Sequence, residues 1–363
     1  MKIIVINKDE LENIPPLISV IYHLTNLGHN VHVITTGYKK ATAEYFKEHN
    51  IQTTVVPAVT SGGLFGKITG YIKYRRAVLD QISNLEFDGI WIEGGNTILA
   101  LGKSICKYSY ILQISELYEN SPRMFRAIKK VIVDAKAVVM PEYNRTVLYQ
   151  IWFSLKKRPW VLPNIPAFLP SKEVIKAVES KNSDKLGLLA GKNVILYQGH
   201  IGAGRDLTNF AKAVNELGEN YMLLLVGKDH NTVADLRRHC SNILHIPFIP
   251  APDYLVFTMH SDIGILSYDP TSINNVYCAP NKLFEYASFG LPMLGNDIPG
   301  LKYMLEFYNA GVIVDETSVE SIKRAIVEIV SKKDSYREHS QQLFNSFDNL
   351  TTVSEIIQSL NYY

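Results

Sequence analysis

The sequence predicts an α/β protein built from two parallel-sheet domains. Short apolar runs alternate with longer amphipathic stretches, the alternation halts at a proline-rich crossing, and it then begins again. The 363 residues also exceed the ~100–200 of one ordinary domain. Buried strands alternating with helices make right-handed βαβ units and hence a parallel sheet, here twice.

The chain opens on Lys2-Ile3-Ile4-Val5-Ile6, a strand over 2–7. Strands are expected next over 30–36, 53–57, 89–93, 108–115 and 137–142, with helical patterns such as 17–27 and 67–82 between them. The seam is placed at Leu162-Pro163-Asn164-Ile165-Pro166. It divides an N-terminal domain, 1–166, from a C-terminal one, 167–348. The polar stretch 171–192 leads in as helix and loop, and the second series of strands covers 193–199, 221–227, 243–249, 263–268, 292–296 and 311–314. Residues 349–363 read as a terminal helix.

Composition narrows the class. Hydrophobic residues make up 47% and charged residues 20%, which suits a soluble protein with two cores. No apolar run approaches the ~18–20 residues of a membrane span, and the N-terminus enters a strand directly, which argues against a signal peptide. Three cysteines, Cys106, Cys240 and Cys278, form no C-x-x-C pair. That points to a reducing compartment and no metal cage. Residues 1–165 carry 20 Lys+Arg against 13 Asp+Glu, a net of +7, and the remainder 17 against 22, a net of −5, giving the chain's +2. With that near-neutral total and no nucleic-acid motif, nucleic acid is not an expected partner.

A dinucleotide-dependent oxidoreductase is excluded at the first turn. Asn7-Lys8-Asp9-Glu10-Leu11-Glu12 has no G-x-G-x-x-G after the opening strand, and its carboxylates would repel a pyrophosphate. The phosphate-friendly sequences lie in the second half. Cys278-Ala279-Pro280-Asn281-Lys282-Leu283-Phe284-Glu285-Tyr286-Ala287-Ser288-Phe289-Gly290-Leu291-Pro292 reads as a loop, a short helix, a glycine stop and the start of a strand. Lys282 and Glu285 then stand near the helix N-terminus, where an anion and a sugar-like diol can be held.

Pro280-Asn281-Lys282-Leu283-Phe284-Glu285-Tyr286 with Gly290-Leu291-Pro292 resembles the donor-binding signature of group 1 (family 4) glycosyltransferases of GT-B fold. Leu196-Tyr197-Gln198-Gly199-His200-Ile201-Gly202-Ala203-Gly204-Arg205 resembles the family's strand and glycine loop at the pyrophosphate. The C-terminal half carries the resemblance well and the N-terminal half only loosely. The resemblance implies two Rossmann-like domains facing across a cleft, with the terminal helix returning to the first. It also implies a retaining, metal-independent enzyme that needs no cofactor. Such an enzyme moves a hexose-type sugar from a nucleoside-diphosphate sugar, UDP- or GDP-linked, to a glycan, lipid-linked or protein acceptor. Bacterial surface polysaccharide biosynthesis is the expected setting, in the cytoplasm or peripherally at the inner membrane face.

The expected donor-binding residues are Gly199, His200, Gly202, Gly204, Arg205, Phe248, Tyr277, Pro280, Asn281, Lys282, Leu283 and Glu285. Gly202 and Gly204 let backbone approach a phosphate, and Arg205 can bridge its oxygens in bidentate fashion. Lys282 adds a second positive charge. Glu285 accepts from two ribose hydroxyls. Phe248 lies where the base is read, with core packing as its competing assignment. Loop residues Thr271, Ser272, Asn274 and Asn275 suit sugar hydroxyls. Counting back from Glu285, the family's partner glutamate falls on Tyr277, a departure that bears on the identity of the sugar.

On the acceptor side, Gln113-Ile114-Ser115-Glu116 resembles a segment in which histidine precedes the glutamate; here that position is Ser115. Glu93-Gly94-Gly95-Asn96 offers glycine N–H groups to a ligand, with a tight turn as the alternative. Glu93, Asn96, Ser115 and Glu116 form the acceptor set; Glu116, Arg205 and Lys282 form the catalytic set; no metal ligand is expected. Basic and aromatic residues interleave over 64–76, in Arg123, Arg126, Lys129 and Lys130, and in Lys156-Lys157-Arg158 between Phe153 and Trp160. This suits an anionic membrane surface or a lipid diphosphate. A non-catalytic GT-B subunit that binds a partner glycosyltransferase is the rival reading, and Ser115 and Tyr277 are its support.

Overall fold

The computed structural model describes residues 1–57, 63–202 and 204–361, without the side chains of 41, 63–65 and 67. Ala203 of the glycine loop, and Leu64, Phe65 and Lys67 of the basic–aromatic stretch as side chains, therefore lie outside the described residues. The chain divides into two units, Met1–Ala167 with Asp348–Tyr363, and Phe168–Phe347.

The first unit holds β1 (Lys2–Asn7), β2 (Asn30–Thr35), β3 (Gln52–Val55), β4 (Gly89–Glu93), β5 (Tyr110–Gln113), β6 (Ala137–Met140) and β7 (Trp160–Val161). They form one parallel sheet in the order β3-β2-β1-β4-β5-β6-β7. In register, Ile4 lies beside His32 of β2 and Ile90 of β4. Both faces are apolar: Ile4, Ile6, Ile90 and Leu112 pack on one side, and Ile3, Val5, Trp91 and Ile111 on the other. This two-sided burial makes the strands continuous apolar runs rather than alternating ones. β7 is the strand the sequence pattern does not reveal, because two residues carry no period.

The final helix, Asn349–Gln358, ends in a single turn of 3-10 helix, Ser359–Asn361. Asp348 caps it by accepting from the Thr351 N–H at 3.0 Å. It packs on the helix Pro15–Asn26, and Val353, Ile356 and Leu360 fill the core beside β1. Asn349 donates to the Pro163 carbonyl at 2.8 Å, tying the end of the chain to the interdomain crossing.

The second unit holds β8 (Asn193–Gln198), β9 (Tyr221–Val226), β10 (Ile243–Ile246), β11 (Ile263–Leu266), β12 (Met293–Asn296) and β13 (Gly311–Val314). Its parallel sheet has the order β10-β9-β8-β11-β12-β13. β10 stops three residues short of the expected 243–249, because Pro247 has no N–H to donate to the ladder. In each unit the strand order reverses between the first and fourth strands, β1 and β4 or β8 and β11. In open α/β sheets the carboxyl ends of the strands at such a switch point are where ligands bind.

The short helix Asn281–Ser288 lies between β11 and β12. Leu283, Phe284, Tyr286 and Ala287 are buried, the apolar face its sequence predicts. Gly290 adopts φ +62°, and the Leu291 N–H reaches back to the Tyr286 carbonyl at 2.9 Å. The helix thus ends in a left-handed glycine, as expected.

Candidate functional site

In the second unit the site is built where β8 and β11 part. β8 delivers Gln198 and then the loop from Gly199 to Arg205. Gly199 (φ +118°) and Gly204 (φ +83°) take backbone conformations that a side chain resists. The start of the loop is held by Gly199 N–H to Val226 O at 2.8 Å and Ile201 N–H to Lys228 O at 3.1 Å. Gly227 brings the next loop against it: a Cβ there would stand 1.9 Å from the Gly199 carbonyl oxygen. Gly202 packs on His230, whose Cβ would lie 2.9 Å from an added methyl.

His200 is exposed and stacks on His230, with ring centroids 4.2 Å apart. Partial desolvation, then the positive neighbours His230, Arg205, Lys228 and Lys282, hold its imidazole below the ordinary range. Arg205 donates to the Gly204 carbonyl at 2.6 Å and lays its guanidinium over the Tyr268 ring at 4.2 Å. Tyr268 follows β11.

Pro280 sits in the N-cap position with extended backbone (φ −73°, ψ 132°), one residue before the first turn the sequence suggests for it. Asn281 opens the helix and Lys282 follows. The Lys282 ammonium rests over the Tyr197 ring at 4.3 Å and 5.5 Å from the Tyr268 ring. A Cβ on Gly199 would be 3.8 Å from its Nζ, so the lysine lies beneath the glycine loop rather than out in solvent. Burial, then the nearby Arg205 cation, pushes its pKa down to about 7, against the pull of Glu285 and Cys278. Leu283, expected in the donor set, is a correction. Its side chain is in the core and its N–H is taken by the Pro280 carbonyl at 3.2 Å.

Glu285 is only 6% exposed. Tyr254 donates to its Oε1 at 2.5 Å and Gln198 Nε2 to its Oε2 at 2.5 Å. Thr258 in turn donates to Gln198 Oε1 at 2.8 Å, which fixes the amide's orientation. Burial raises the Glu285 pKa, opposed by these two hydrogen bonds and by Lys282. A carboxylate offers about four lone-pair sites, so two remain for a ligand. Gln198 was within reach of sequence reasoning as the residue before the glycine loop. Tyr254 was not, since only tertiary folding brings it to Glu285.

Phe248 follows β10 and is 64% exposed, which removes its assignment to the core. Tyr277 follows the short helix Ile273–Val276 and is partly buried. Ser272 caps that helix by accepting from Asn275 N–H at 3.1 Å, and Asn275 donates to Asp269 O at 2.8 Å. Both groups therefore hold the loop itself.

In the first unit the expected acceptor residues converge after β1, β4 and β5. Glu93 is 2% exposed; Asn7 Nδ2 donates to its Oε2 at 2.8 Å and Ser115 Oγ to its Oε1 at 3.1 Å. Burial pushes its pKa up to about 7. Asn96 Nδ2 is 3.3 Å from both oxygens of Asp9, whose pKa burial raises, and Asn96 Oδ1 accepts from the Tyr71 hydroxyl at 3.1 Å. The glycines after β4 are a correction. Gly94 N–H donates to Gln113 O at 3.2 Å and Gly95 N–H to the Tyr118 hydroxyl at 3.2 Å, so the fold already uses both donors and the tight-turn alternative holds.

Glu116 lies 3.8 Å from Arg145, a buried guanidinium that also donates to the Ser115 carbonyl. It remains an exposed carboxylate, its side chain 53% accessible, with Arg145 at ion-pair distance. Asn7, Asp9 and Arg145 belong to this cluster without having been singled out in the sequence; Asn7 ends β1, Asp9 follows it in the loop, and Arg145 comes from the helix Tyr143–Phe153.

The basic–aromatic surface separates into parts. Phe153 is buried and stacks on Phe125 at 4.5 Å, and Trp152 packs beside it, so these rings serve the core. Arg158 lies over Tyr143 at 4.7 Å. No described helix is long and apolar enough to cross a membrane.

Residues 178–344 match the family model described as Glycosyl transferases group 1. No curated protein matches the chain. Among solved structures, HepE from Anabaena in complex with UDP and glucose superposes with TM-score 0.74 at 13% identity, covering 99% of each chain. Sucrose-phosphate synthase from Thermosynechococcus elongatus gives 0.72 at 16% identity, covering 99% of each. WaaG, a glycosyltransferase involved in lipopolysaccharide biosynthesis, gives 0.64 at 15% identity, covering 97% of this chain and 98% of that one. With its two Rossmann-like parallel sheets, the chain has the GT-B fold, and over residues 178–344 it is similar to the Glycosyl transferases group 1 family.

Proposed function

We propose that the protein is a retaining, metal-independent glycosyltransferase that moves a hexose from a nucleoside-diphosphate sugar to a hydroxyl of a glycan or lipid-linked acceptor. One observation carries this reading. Arg205 and Lys282 converge at the switch point of the second sheet without an ion pair to either among the described residues, and the buried carboxylate Glu285 stands one turn further along the same helix. Two cations suit a diphosphate, and a carboxylate with two open sites suits the ribose diol. The family match over 178–344 supports the reading, as does the UDP-glucose held by the similar HepE structure.

In this reading the bond between the anomeric carbon and the diphosphate oxygen breaks as the acceptor oxygen attacks from the same face. The acceptor proton passes to the departing phosphate. Arg205, Lys282 and the N-terminus of the helix Asn281–Ser288 stabilise the charge that develops there. Glu93, Asn96, Ser115 and Glu116 are assigned to the acceptor. A surface-polysaccharide role and a cytoplasmic or peripheral membrane location belong to the same proposal.

The rival reading, a non-catalytic subunit, draws on Ser115 and Tyr277. Chromatography of UDP-glucose and a panel of other sugar nucleotides incubated with the protein separates the two. Release of the free nucleoside diphosphate, undiminished by a chelator, is expected of the enzyme. Binding without turnover across the panel, with and without acceptor glycans, would favour the subunit.

A further inference from the structure

Arg205 and Lys282 are like charges brought into one small volume; among the described residues neither has a carboxylate at ion-pair distance, and Glu285 and Glu316 attract them only from further off. Something must hold them there before a ligand arrives. Two tyrosines neighbour both cations: Tyr197, and Tyr268, whose ring centroid is 4.2 Å from the Arg205 guanidinium and 5.5 Å from the Lys282 ammonium. An aromatic face attracts cations through its quadrupole, most strongly where water is scarce. Tyr197 holds Lys282 over its ring at 4.3 Å and meets Arg205 through its hydroxyl, whereas Tyr268 offers its ring to both.

Tyr268 is itself fixed from behind. Asn296, buried at the end of β12, accepts from the Tyr268 N–H at 3.2 Å and donates to the Tyr268 carbonyl at 2.8 Å. This pair of bonds locks the first residue pair after β11 to the neighbouring strand, so the ring projects from a rigid part of the sheet. A group held in this way can pre-organise its partners and lower the ordering cost of binding.

We propose that Tyr268 is a positioning residue that carries Arg205 and Lys282 on one ring, so that the two cations act together on a diphosphate and discriminate it from a monophosphate. The inference rests on the donor-site reading above. Its content is that the preference for two phosphates resides in a neutral aromatic side chain as well as in the cations themselves.

The test compares UDP, UMP and uridine binding by calorimetry for the full chain, Tyr268→Phe and Tyr268→Leu. The expected result is a loss of roughly tenfold in UDP affinity for Tyr268→Leu, matching the upper range of a cation–π contact. UMP and uridine affinities change less than about twofold, and Tyr268→Phe behaves as wild type because the ring remains. In an Arg205→Ala background most of the Tyr268→Leu effect disappears, the signature of coupling between the two. A merely structural tyrosine would weaken UDP and UMP alike, and that result overturns the inference. So does unchanged UDP affinity in a folded Tyr268→Leu protein. Should the wild-type chain bind no nucleoside diphosphate, whether of uridine, guanosine, adenosine or thymidine, the donor-site reading falls and takes this inference with it.

Discussion

The hydroxyl of Tyr254 donates to Glu285 Oε1 at 2.5 Å, and Gln198 holds the other oxygen at the same distance. The carboxylate is therefore oriented before any ligand arrives. We expect Glu285→Ala to lower donor affinity or turnover by ~100-fold, from losing charge-assisted hydrogen bonds of ~1.5–3 kcal/mol each. Tyr254→Phe removes only an orienting bond and is expected to raise the donor KM by ~3–10-fold with little change in kcat. Steady-state kinetics at limiting donor check both, and wild-type behaviour of Glu285→Ala rejects the ribose assignment.

Lys282 makes donor binding pH-dependent. Burial and Arg205 hold its pKa at about 7 in the free protein, and a bound diphosphate favours the charged form and raises it. Affinity is therefore full while the free lysine is protonated and declines as pH rises through and beyond 7, by up to tenfold per unit. Phosphate ionisation, with its second pKa near ~6, is already complete over most of that range. Lys282→Arg carries a permanent charge, so its affinity for UDP should stay flat between pH 7 and 9. Calorimetric titrations across that range decide the matter.

Much of this arrangement was legible in the sequence, and what was not has physical reasons. Both parallel sheets follow from apolar runs buried on two faces, and Gly290 was readable as a helix stop because only a left-handed residue fits there. Arg205, Lys282 and Glu285 stood out because glycine loops and helix starts advertise themselves along the chain. Tyr254, Tyr268 and Arg145 did not, since their roles depend on which loops fold together. Leu283 is expected in the donor set and the glycines after β4 leave a ligand or a tight turn open, yet local hydrogen bonds and core packing claim these groups. Phe248 shows the converse: one exposed ring after a strand cannot be told from a core residue by pattern.

Glu93 should leave a mark on stability. Burial raises its folded-state pKa from 4.5 to about 7, so between those values the folded protein binds the extra proton. Its contribution is intact below about pH 4.5 and is lost as pH rises toward 7, with a slope of at most ~1.4 kcal/mol per pH unit. Glu93→Gln keeps the hydrogen-bonding shape without the titration. Denaturant unfolding at pH 5 and pH 7.5 should show a smaller difference for the variant than for wild type.

Gly227→Ala is expected to be severe. The residue has φ +144°, and the added methyl would stand 1.9 Å from the Gly199 carbonyl oxygen, a backbone atom that cannot swing away. Strain and overlap together should cost at least ~3 kcal/mol. Thermal unfolding reads the loss. Any folded fraction should also bind UDP poorly, because the loop carrying Arg205 begins at Gly199.

The account as a whole turns on where a nucleoside diphosphate settles. A crystal of this chain grown with UDP tests that directly. The account predicts both phosphates in contact with Arg205 and Lys282 beneath the glycine loop, and the ribose hydroxyls on Glu285. Phosphates bound elsewhere, with Glu285 contacted only by Tyr254 and Gln198 and neither Arg205 nor Lys282 touching a phosphate, would contradict it.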